Sequence, residues 1–322
     1  MALKIKYSKE VLKAKKLSKP ILALESTIIA HGMPYPKNLD FAKKAEALCR
    51  NGGVIPATIA IINGKIHVGL ETEELQIIAS PGKIEKIAMR ELGVALAMKS
   101  TGATTVSSTI FISNLCKINV FATGGIGGIH RGVNNSFDIS QDLLALSRTP
   151  GIVVSSGAKS ILDIPKTVEA LEFLGITTLG YKTKTFPSFY SRASNANTIQ
   201  KVDSIDNIVE VFNNNLALDM KSSILIANPV PKKHELPKDK IQKIINTALQ
   251  DRKKTAVSGK DITPFLLESI VKQTKGKALR TNIELALNNV KLALMITKKV
   301  SKKSLALARA KQIEIKNYKR KK

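Results

Sequence analysis

The sequence predicts an α/β fold, a three-layer α/β/α arrangement around a mostly parallel central sheet. Short apolar runs of strand length alternate with longer segments whose apolar residues recur at helical spacing, through most of the 322 residues. The apolar runs contain few polar positions, as strands do when helices cover both faces of their sheet.

Seven apolar runs are the predicted strands, at residues 21–24, 57–62, 104–106, 120–123, 152–155, 177–180 and 224–227. Helical spacing predicts helices at residues 38–49, 160–174, 205–214, 238–249, 264–272 and 282–295. Asn63-Gly64 lies between two apolar runs and predicts a type I′ hairpin that adds an antiparallel strand to the sheet.

Charge is concentrated at the two ends of the chain. Of a formal net charge of +26, residues 1–20 contribute seven lysines and one acid, and residues 298–322 contribute eleven Lys/Arg and one acid. We therefore predict a basic N-terminal extension (1–20), a single central domain (21–297) and a basic C-terminal tail (298–322). Such a tail can bind nucleic acid non-specifically, but the chain holds only 4% aromatic residues and no Trp for base stacking.

Composition also excludes several classes of protein. Hydrophobic residues make up 43% of the chain and charged residues 24%, as in ordinary globular proteins. No run approaches the roughly 18–20 apolar residues of a membrane span, and the lysine-rich start lacks the apolar run of a secretory signal. Two cysteines are too few for a disulfide framework. We expect a cytoplasmic protein.

Glu25 is the first candidate catalytic residue. It follows the predicted strand 21–24, and ligands of open α/β sheets bind at the carboxyl ends of strands. The alternative is that Glu25 or Ser26 only caps the following turn.

The glycine-rich segment 121–132 is a second candidate. It fits neither the dinucleotide fingerprint, whose last glycine would fall on His130, nor the Walker pattern. A tight turn alone would explain its glycines. Because His130 and Arg131 follow directly, we expect its backbone amides to bind a phosphate.

Asp138 and Asp142 form a third candidate group. Spaced i, i+4, they would share one face of a helix. Magnesium and manganese bind to one or two carboxylates plus waters. The alternative is that Asp138 or Ser140 is a helix N-cap.

Lys159 is the fourth candidate, after the predicted strand 152–155 and at the start of a predicted helix. A helix N-terminus is an unfavourable position for a purely structural cation. An uncharged lysine amine attacks carbonyl carbons and forms a Schiff base. The alternative is that Lys159, like most lysines of this chain, is a solvated charge.

Together these segments resemble the pseudouridine-5′-phosphate glycosidase family, also called indigoidine-synthase-A-like proteins, from about residue 21 to residue 295. The resemblance rests on Glu-Ser-Thr-Ile-Ile-Ala-His-Gly-Met-Pro-Tyr-Pro from Glu25, Phe-Ala-Thr-Gly-Gly-Ile-Gly-Gly from Phe121 and Gly-Ala-Lys-Ser-Ile-Leu-Asp-Ile-Pro from Gly157. Shorter motifs in the same order support it, such as Gly-Ala-Thr-Thr-Val from Gly102 and Ala-Asn-Pro-Val-Pro from Ala227.

The resemblance implies an enzyme that reversibly cleaves the C–C glycosidic bond of pseudouridine 5′-phosphate, giving uracil and ribose 5-phosphate, in pseudouridine catabolism. It also implies one divalent metal ion per subunit, with Mn²⁺ preferred, and a homotrimer. Glu25 corresponds to the proton donor, Lys159 to the nucleophile that forms the Schiff base, and Asp138 to the metal ligand.

The same resemblance implies a set of substrate-binding residues: Lys86, Val106, Ser140, Gln141 and Asp142, with His130 and Asn282 as further contacts. The chain departs from the family after Lys86, where the family's Lys-x-Ser-Arg-Arg-Asp-Leu reads Lys-Ile-Ala-Met-Arg-Glu-Leu, and at Glu284, where a small apolar residue is expected. We expect these departures to affect substrate affinity more than the type of reaction.

Two other functions stay open from the sequence. A metal-dependent N-glycoside hydrolase would use Glu25 and Asp138 as a carboxylate pair, without a covalent lysine. A basic nucleic-acid-binding protein would require affinity for RNA or DNA that persists at physiological salt.

Overall fold

The central sheet contains eleven strands in the computed structural model, which describes residues 3–196, 200–253 and 262–320. The strands are β1 Ile5–Tyr7, β2 Ile21–Leu24, β3 Ile55–Ile62, β4 Lys65–Val68, β5 Glu85–Ile87, β6 Gly102–Thr104, β7 Val120–Ala122, β8 Ile152–Ser155, β9 Thr177–Tyr181, β10 Gln200–Val202 and β11 Ile224–Ala227. Their order is β1-β4-β3-β2-β7-β8-β11-β9-β10, with β6 also pairing with β3 and β5 pairing with β6. Neighbours run parallel except at β3–β4 and β3–β6.

The helices of this part of the chain are α1 Lys9–Lys16, α2 Thr27–Ala30, α3 Lys37–Asn51, α4 Thr72–Ala79, α5 Leu92–Ala97, α6 Val106–Leu115, α7 Val133–Ser136, α8 Gln141–Arg148, α9 Ile164–Phe173, α10 Ile205–Ala217, α11 Lys238–Lys253, α12 Ile262–Gln273 and α13 Lys277–Arg320. Two short 3₁₀ turns lie at Met89–Glu91 and Lys232–His234.

Helices cover both faces of the sheet, which confirms the predicted three-layer α/β/α fold. Every residue of β8 and β11 is buried, as is expected only when each face of a strand is covered. Helix α13 lies along β2, β7 and β8 and packs against α3 and α10. Helix α6 also contacts β7 and packs against α8.

Six of the seven predicted strands are present over most of their length, the seventh overlaps β6 only at Thr104, and the hairpin is confirmed. Asn63 and Gly64 have φ angles of 49° and 67°, as a type I′ turn requires, and Ile62 pairs with Lys65. One strand boundary was wrong, because residues 104–106 do not form a strand: β6 ends at Thr104 and Val106 begins α6. Helix α6 escaped detection because its polar residues are buried; Ser108, for example, donates a hydrogen bond to the carbonyl of Ile87.

The N-terminal segment differs from the expected extension. Strand β1 pairs in parallel with β4, and α1 buries Val11 and Ala14 in the core. Strand β1 is therefore an edge strand of the sheet, and α1 packs into the folded domain. At the other end α13 continues through the predicted boundary at residue 297, and Val300 is still buried.

Within the described residues, none of the helices combines the length and the apolar character that crossing a membrane requires.

Candidate active site

One cavity of about 260 Å³ brings the predicted site residues together at the carboxyl ends of the central strands. Its wall includes all ten of them: Glu25, Lys86, Val106, His130, Asp138, Ser140, Gln141, Asp142, Lys159 and Asn282. Residues from six separate segments meet there. Glu25, His130 and Lys159 do so because they follow β2, β7 and β8, neighbouring parallel strands that end at the same edge of the sheet. The grouping is therefore observed, while the role of each residue stays a prediction.

Glu25 follows β2 and is buried, with 6% of its surface exposed. The Thr123 hydroxyl donates a hydrogen bond to Glu25 Oε1. Burial raises the pKa of the Glu25 carboxyl; nearby Lys159 and the Thr123 hydroxyl oppose this shift, whereas the Asp142 carboxylate adds to it. A carboxyl with a raised pKa holds its proton at higher pH and can act as a general acid.

Lys159 lies half-buried in the loop after β8, and not at the start of a helix as the sequence predicted. Its backbone amide donates to the carbonyl of Ile126. Helix α9 begins only at Ile164, because Asp163 accepts the amide of Lys166 as the N-cap and Pro165 follows. The helix dipole therefore does not explain the position of Lys159, which is set by the β8 loop.

Gly157 makes this loop possible. Its φ is +74°, in the left-handed region, and a Cβ there would lie 1.9 Å from the carbonyl oxygen of Pro187. The chain can therefore turn sharply between Ser156 and Lys159, which directs the lysine into the cavity wall.

The glycine-rich loop packs closely and uses much of its hydrogen-bonding capacity inside the protein. The amides of Ile126, Gly127 and Ile129 donate to Gly157 O, Asp142 Oδ2 and Thr167 Oγ1. These three amides are thus unavailable to a phosphate, which goes against the predicted phosphate cradle. A Cβ on Gly127 would lie 2.2 Å from Ser140 Oγ, so close packing explains that glycine.

Arg131, unlike Gly124, Gly125 and Gly127 of the glycine-rich loop, does not line the cavity. Its guanidinium donates to the carbonyls of Ser160 and Leu162 and to Gln242 Oε1. Burial lowers the pKa of this arginine, partly offset by Asp163. Arg131 therefore connects the Lys159 loop to α11.

Asp142 holds two segments of the cavity wall together. Its Oδ1 accepts the amide of Ser107 at 2.9 Å and its Oδ2 accepts the amide of Gly127 at 2.8 Å. The carboxylate is buried, so these charge-assisted bonds are shielded from water. Asp142 thus supports the start of α6 and the glycine loop as well as lining the cavity.

Ser140 and Gln141 begin α8 beside Asp142. Ser140 is the N-cap, because its hydroxyl accepts the amide of Asp142 at 3.2 Å. The side-chain carbonyl of Gln141 accepts the amide of Arg90 at 2.8 Å. Helix α8 starts at Gln141, so Asp138 lies outside it and does not share a helix face with Asp142.

Asp138 lies in an irregular segment opposite His130. The backbone amide of His130 donates to the carbonyl of Asp138 at 3.0 Å, and His130 Nδ1 lies 3.7 Å from Asp138 Oδ2. The Asp138 side chain is 30% exposed. No backbone amide among the described residues donates to its carboxylate, in contrast to Asp142.

The other three predicted contacts lie on different elements. Lys86 is in β5, opposite Ala103 of β6, and Val106 is the first residue of α6. Asn282 is on α13 and is 4% exposed; its Nδ2 donates to Gly32 O at 3.4 Å. Asn282 Oδ1 has no hydrogen-bond donor within the described part of the chain.

Of the residues that depart from the family pattern, Ala88 and Glu91 line the cavity, whereas Met89 and Glu284 do not. Met89 packs partly against the core, and its amide donates to Ser107 Oγ. Glu284 lies on α13 with Oε2 3.4 Å from His234 Nε2.

The sequence reasoning missed Thr123 and His31. Thr123 follows β7 as Glu25 follows β2, so the same argument from strand ends would have identified it. His31 lies in the cavity wall after α2. His31 could have been identified from the sequence, because it lies within the motif that begins at Glu25.

A buried carboxyl and a lysine thus line one cavity of an α/β fold, an arrangement typical of an enzyme active site. The family model for indigoidine synthase A like proteins matches residues 10–299 of the chain. The chain therefore belongs to the indigoidine synthase A like family.

Curated relatives cover nearly the whole chain. The pseudouridine-5′-phosphate glycosidase of Staphylococcus aureus (strain MW2) is 45% identical over 298 residues, which is 92% of this chain and 97% of that protein. The protein of the same name from Thermosipho africanus (strain TCF52B) is 47% identical over 295 residues, 92% of this chain and 99% of the relative.

Two solved structures resemble the model closely. An indigoidine synthase A-like protein from Thermotoga maritima is 34% identical with a TM-score of 0.85, covering 93% of this chain and 97% of its own. The prealnumycin C-glycosynthase AlnA, in complex with ribulose 5-phosphate, is 30% identical with a TM-score of 0.87, covering 95% and 100%.

Proposed function

We propose that the chain is a pseudouridine-5′-phosphate glycosidase, which cleaves the C–C glycosidic bond of its substrate to give uracil and ribose 5-phosphate. The observation that carries the proposal is the closeness of the buried carboxyl of Glu25 to Lys159, in a cavity that also contains the other residues matched to the family. Relatives of that name at 45–47% identity support the substrate.

The chemistry explains why an amine is needed. An O- or N-glycoside leaves after protonation of its heteroatom, but here the leaving atom is C5 of uracil. In the proposed route Lys159 Nζ bonds to C1′ as the C1′–O4′ bond breaks and the ribose opens. The nitrogen lone pair then forms a C1′=N bond while the C1′–C5 electrons move into the uracil ring.

Proton transfer and water complete the cycle. Glu25, whose pKa is raised by burial, delivers in its acid form the proton that uracil takes up. Water adds to C1′ of the imine, and Lys159 leaves as the amine while C1′ becomes the aldehyde of ribose 5-phosphate. The sum is substrate plus water giving two products, and each step is reversible in principle. The AlnA complex supports the open-chain intermediate, because ribulose 5-phosphate is an acyclic pentose phosphate.

The residues present fit a hard divalent cation held mainly by water. Asp138 is partly exposed in the cavity, whereas the oxygens of Asp142 accept backbone amides. Within the described residues there is no group of three or more His, Cys, Asp or Glu side chains that could hold a metal ion. A single carboxylate suits Mn²⁺ or Mg²⁺ better than an all-protein zinc site. We propose that Asp138 holds Mn²⁺, whose positive charge supplies attraction for anionic groups of the substrate.

The test measures uracil release from pseudouridine 5′-phosphate by the purified full chain, with and without Mn²⁺. In parallel, borohydride is added with substrate and the intact mass and modified peptide are determined. We expect an adduct of reduced ribose 5-phosphate on Lys159. Lys159→Ala and Lys159→Arg should both remove adduct and turnover, since a guanidinium stays protonated and cannot attack carbon.

Other results would replace the proposal. An adduct on Lys86 would show that the nucleophile is a different lysine of the same cavity. Brisk turnover of N-glycosides without any adduct would favour the hydrolase that uses Glu25 and Asp138 as a carboxylate pair. Absence of uracil release, with and without Mn²⁺, would refute the proposal that pseudouridine 5′-phosphate is the substrate.

A further inference from the structure

Asn289 of α13 contacts the ends of three neighbouring strands. The side chain is fully buried, with 0% of its surface exposed. Its Nδ2 donates to the carbonyls of Thr123 and Gly124, at 2.8 and 3.2 Å, just beyond β7. Ser156, just beyond β8, has its hydroxyl 3.3 Å from Asn289 Oδ1. Asn228, just beyond β11, donates from Nδ2 to the same Oδ1 at 2.9 Å.

The chemistry of the partners determines the orientation of this amide. Backbone carbonyls only accept hydrogen bonds, so the Nδ2 side of Asn289 must face Thr123 and Gly124. The Asn228 Nδ2 group only donates, so the Oδ1 side must face β11. Asparagine is the residue that offers two donors and an acceptor within this short reach; aspartate has no donor and leucine has neither.

Two of the three segments that Asn289 holds, those after β7 and β8, each lead directly to one half of the proposed chemistry. Thr123 donates its hydroxyl hydrogen bond to Glu25 Oε1. Ser156 begins the loop that reaches Lys159, and its amide donates to Gly124 O at 2.9 Å. Backbone hydrogen bonds therefore join the two loops to each other, and one buried side chain joins both of them to α13.

We propose that Asn289 is a positioning residue that sets the distance between Glu25 and Lys159 through Thr123 and Ser156, without touching the substrate. This inference rests on the proposed function for its kinetic consequence. Asn289 is absent from the cavity wall, whereas Asn282 is part of it. The two lie seven residues apart on one face of α13. Helix α13 thus contributes one residue to the cavity and, two turns later, one that holds the reacting groups in place.

The kinetic test uses Asn289→Ala in the full chain. A displacement of about 1 Å between reacting groups costs on the order of 100-fold in rate. We expect kcat to fall about 10- to 100-fold while KM changes less than about threefold, because the residues matched to substrate binding are left in place. The intensity of borohydride trapping at Lys159 should fall in parallel with kcat.

Ser223→Ala is the matched control. Ser223 is also fully buried and donates a side-chain hydrogen bond to the carbonyl of Thr149, but it precedes β11 at the opposite end of the sheet from the cavity. A merely structural loss should lower thermal stability in both variants, whereas the loss of kcat should occur in Asn289→Ala alone. If Asn289→Ala does not fold, Asn228→Ala removes the donor to Oδ1 and should give the same pattern at smaller amplitude.

A second measurement does not depend on the substrate. Amide hydrogen exchange, followed by mass spectrometry, should rise in peptides covering residues 121–128 and 154–162 of Asn289→Ala and stay unchanged there in Ser223→Ala. Unchanged exchange in these peptides, or an unchanged kcat in folded Asn289→Ala, would overturn the proposal. If the wild-type chain releases no uracil, the proposed function fails, and the exchange result alone decides whether Asn289 joins the two loops.

Discussion

Asp142 offers a sharp test of the site because both of its oxygens are used by the backbone. In Asp142→Asn one oxygen becomes an NH₂ group, so either Ser107 N or Gly127 N faces a donor instead of an acceptor. A hydrogen bond to a charged group contributes about 1.5–3 kcal/mol, and a buried amide left without an acceptor costs about 1–3 kcal/mol. The two figures describe partly the same loss and cannot simply be added, so we expect Asp142→Asn to lower the free energy of unfolding by about 3 kcal/mol.

Asp138→Asn is the matched control, with the same substitution in the same cavity. Its carboxylate is partly exposed and accepts no backbone amide from the described residues, so its loss should change stability by less than about 1 kcal/mol. The assay is urea unfolding at fixed pH, without added metal. The slope of the unfolding free energy against urea concentration is compared between variants. In a thermal scan 3 kcal/mol corresponds to about 4 °C for a chain of this length, at roughly 2.1 cal/mol/K of unfolding entropy per residue.

The two variants should also differ in activity. Asp142→Asn should lose turnover because the glycine loop and the start of α6 are no longer held together, and added Mn²⁺ should not restore it. Equal stability of the two variants would refute the reasoning, since it would mean that the backbone bonds of Asp142 contribute nothing beyond what an amide supplies.

Three further predictions concern the metal, the acid and the tail. EDTA should abolish turnover and Mn²⁺ restore it, with Asp138→Ala needing far more metal; full activity after exhaustive chelation would contradict the metal site. The pKa of Glu25 is raised in the folded state, so its contribution to stability is present below the unfolded value of 4.5 and lost as pH rises through the folded pKa. Glu25→Gln should therefore have a higher melting temperature than wild type at pH 9 but not at pH 4. Wild-type kcat should fall as the pH rises through the folded pKa of Glu25. A difference in melting temperature between Glu25→Gln and wild type that is the same at both pH values would argue against the raised pKa. Deleting residues 302–322, beyond buried Val300, removes a net charge of +8 and should weaken heparin binding while leaving kcat within about twofold; loss of activity in the folded truncated chain would show that the tail completes the site.

The sequence alone determined the class of fold and the position of the site. Apolar runs of strand length alternating with helical patterns sufficed for the α/β/α layers, because periodicity is a local property of the chain. The Asn63-Gly64 turn was also local, since its positive φ angles depend on those two residues. Glu25 and Lys159 each lie in a segment after a buried strand, where the ends of parallel strands meet, and the family resemblance supplied their predicted roles.

Only the tertiary structure decided what each side chain does within that site. Asp142 and the glycine loop also hold the cavity wall together, through hydrogen bonds between segments 15 to 38 residues apart in the chain. Helix α6 was missed because buried hydroxyls, satisfied by distant carbonyls, interrupt its apolar pattern. The role of Asn289 could not be predicted from its neighbours in the sequence, because its hydrogen-bond partners follow three different strands. Hydrogen bonds between remote segments depend on how the strands are ordered in space, and periodicity along the chain does not encode that order.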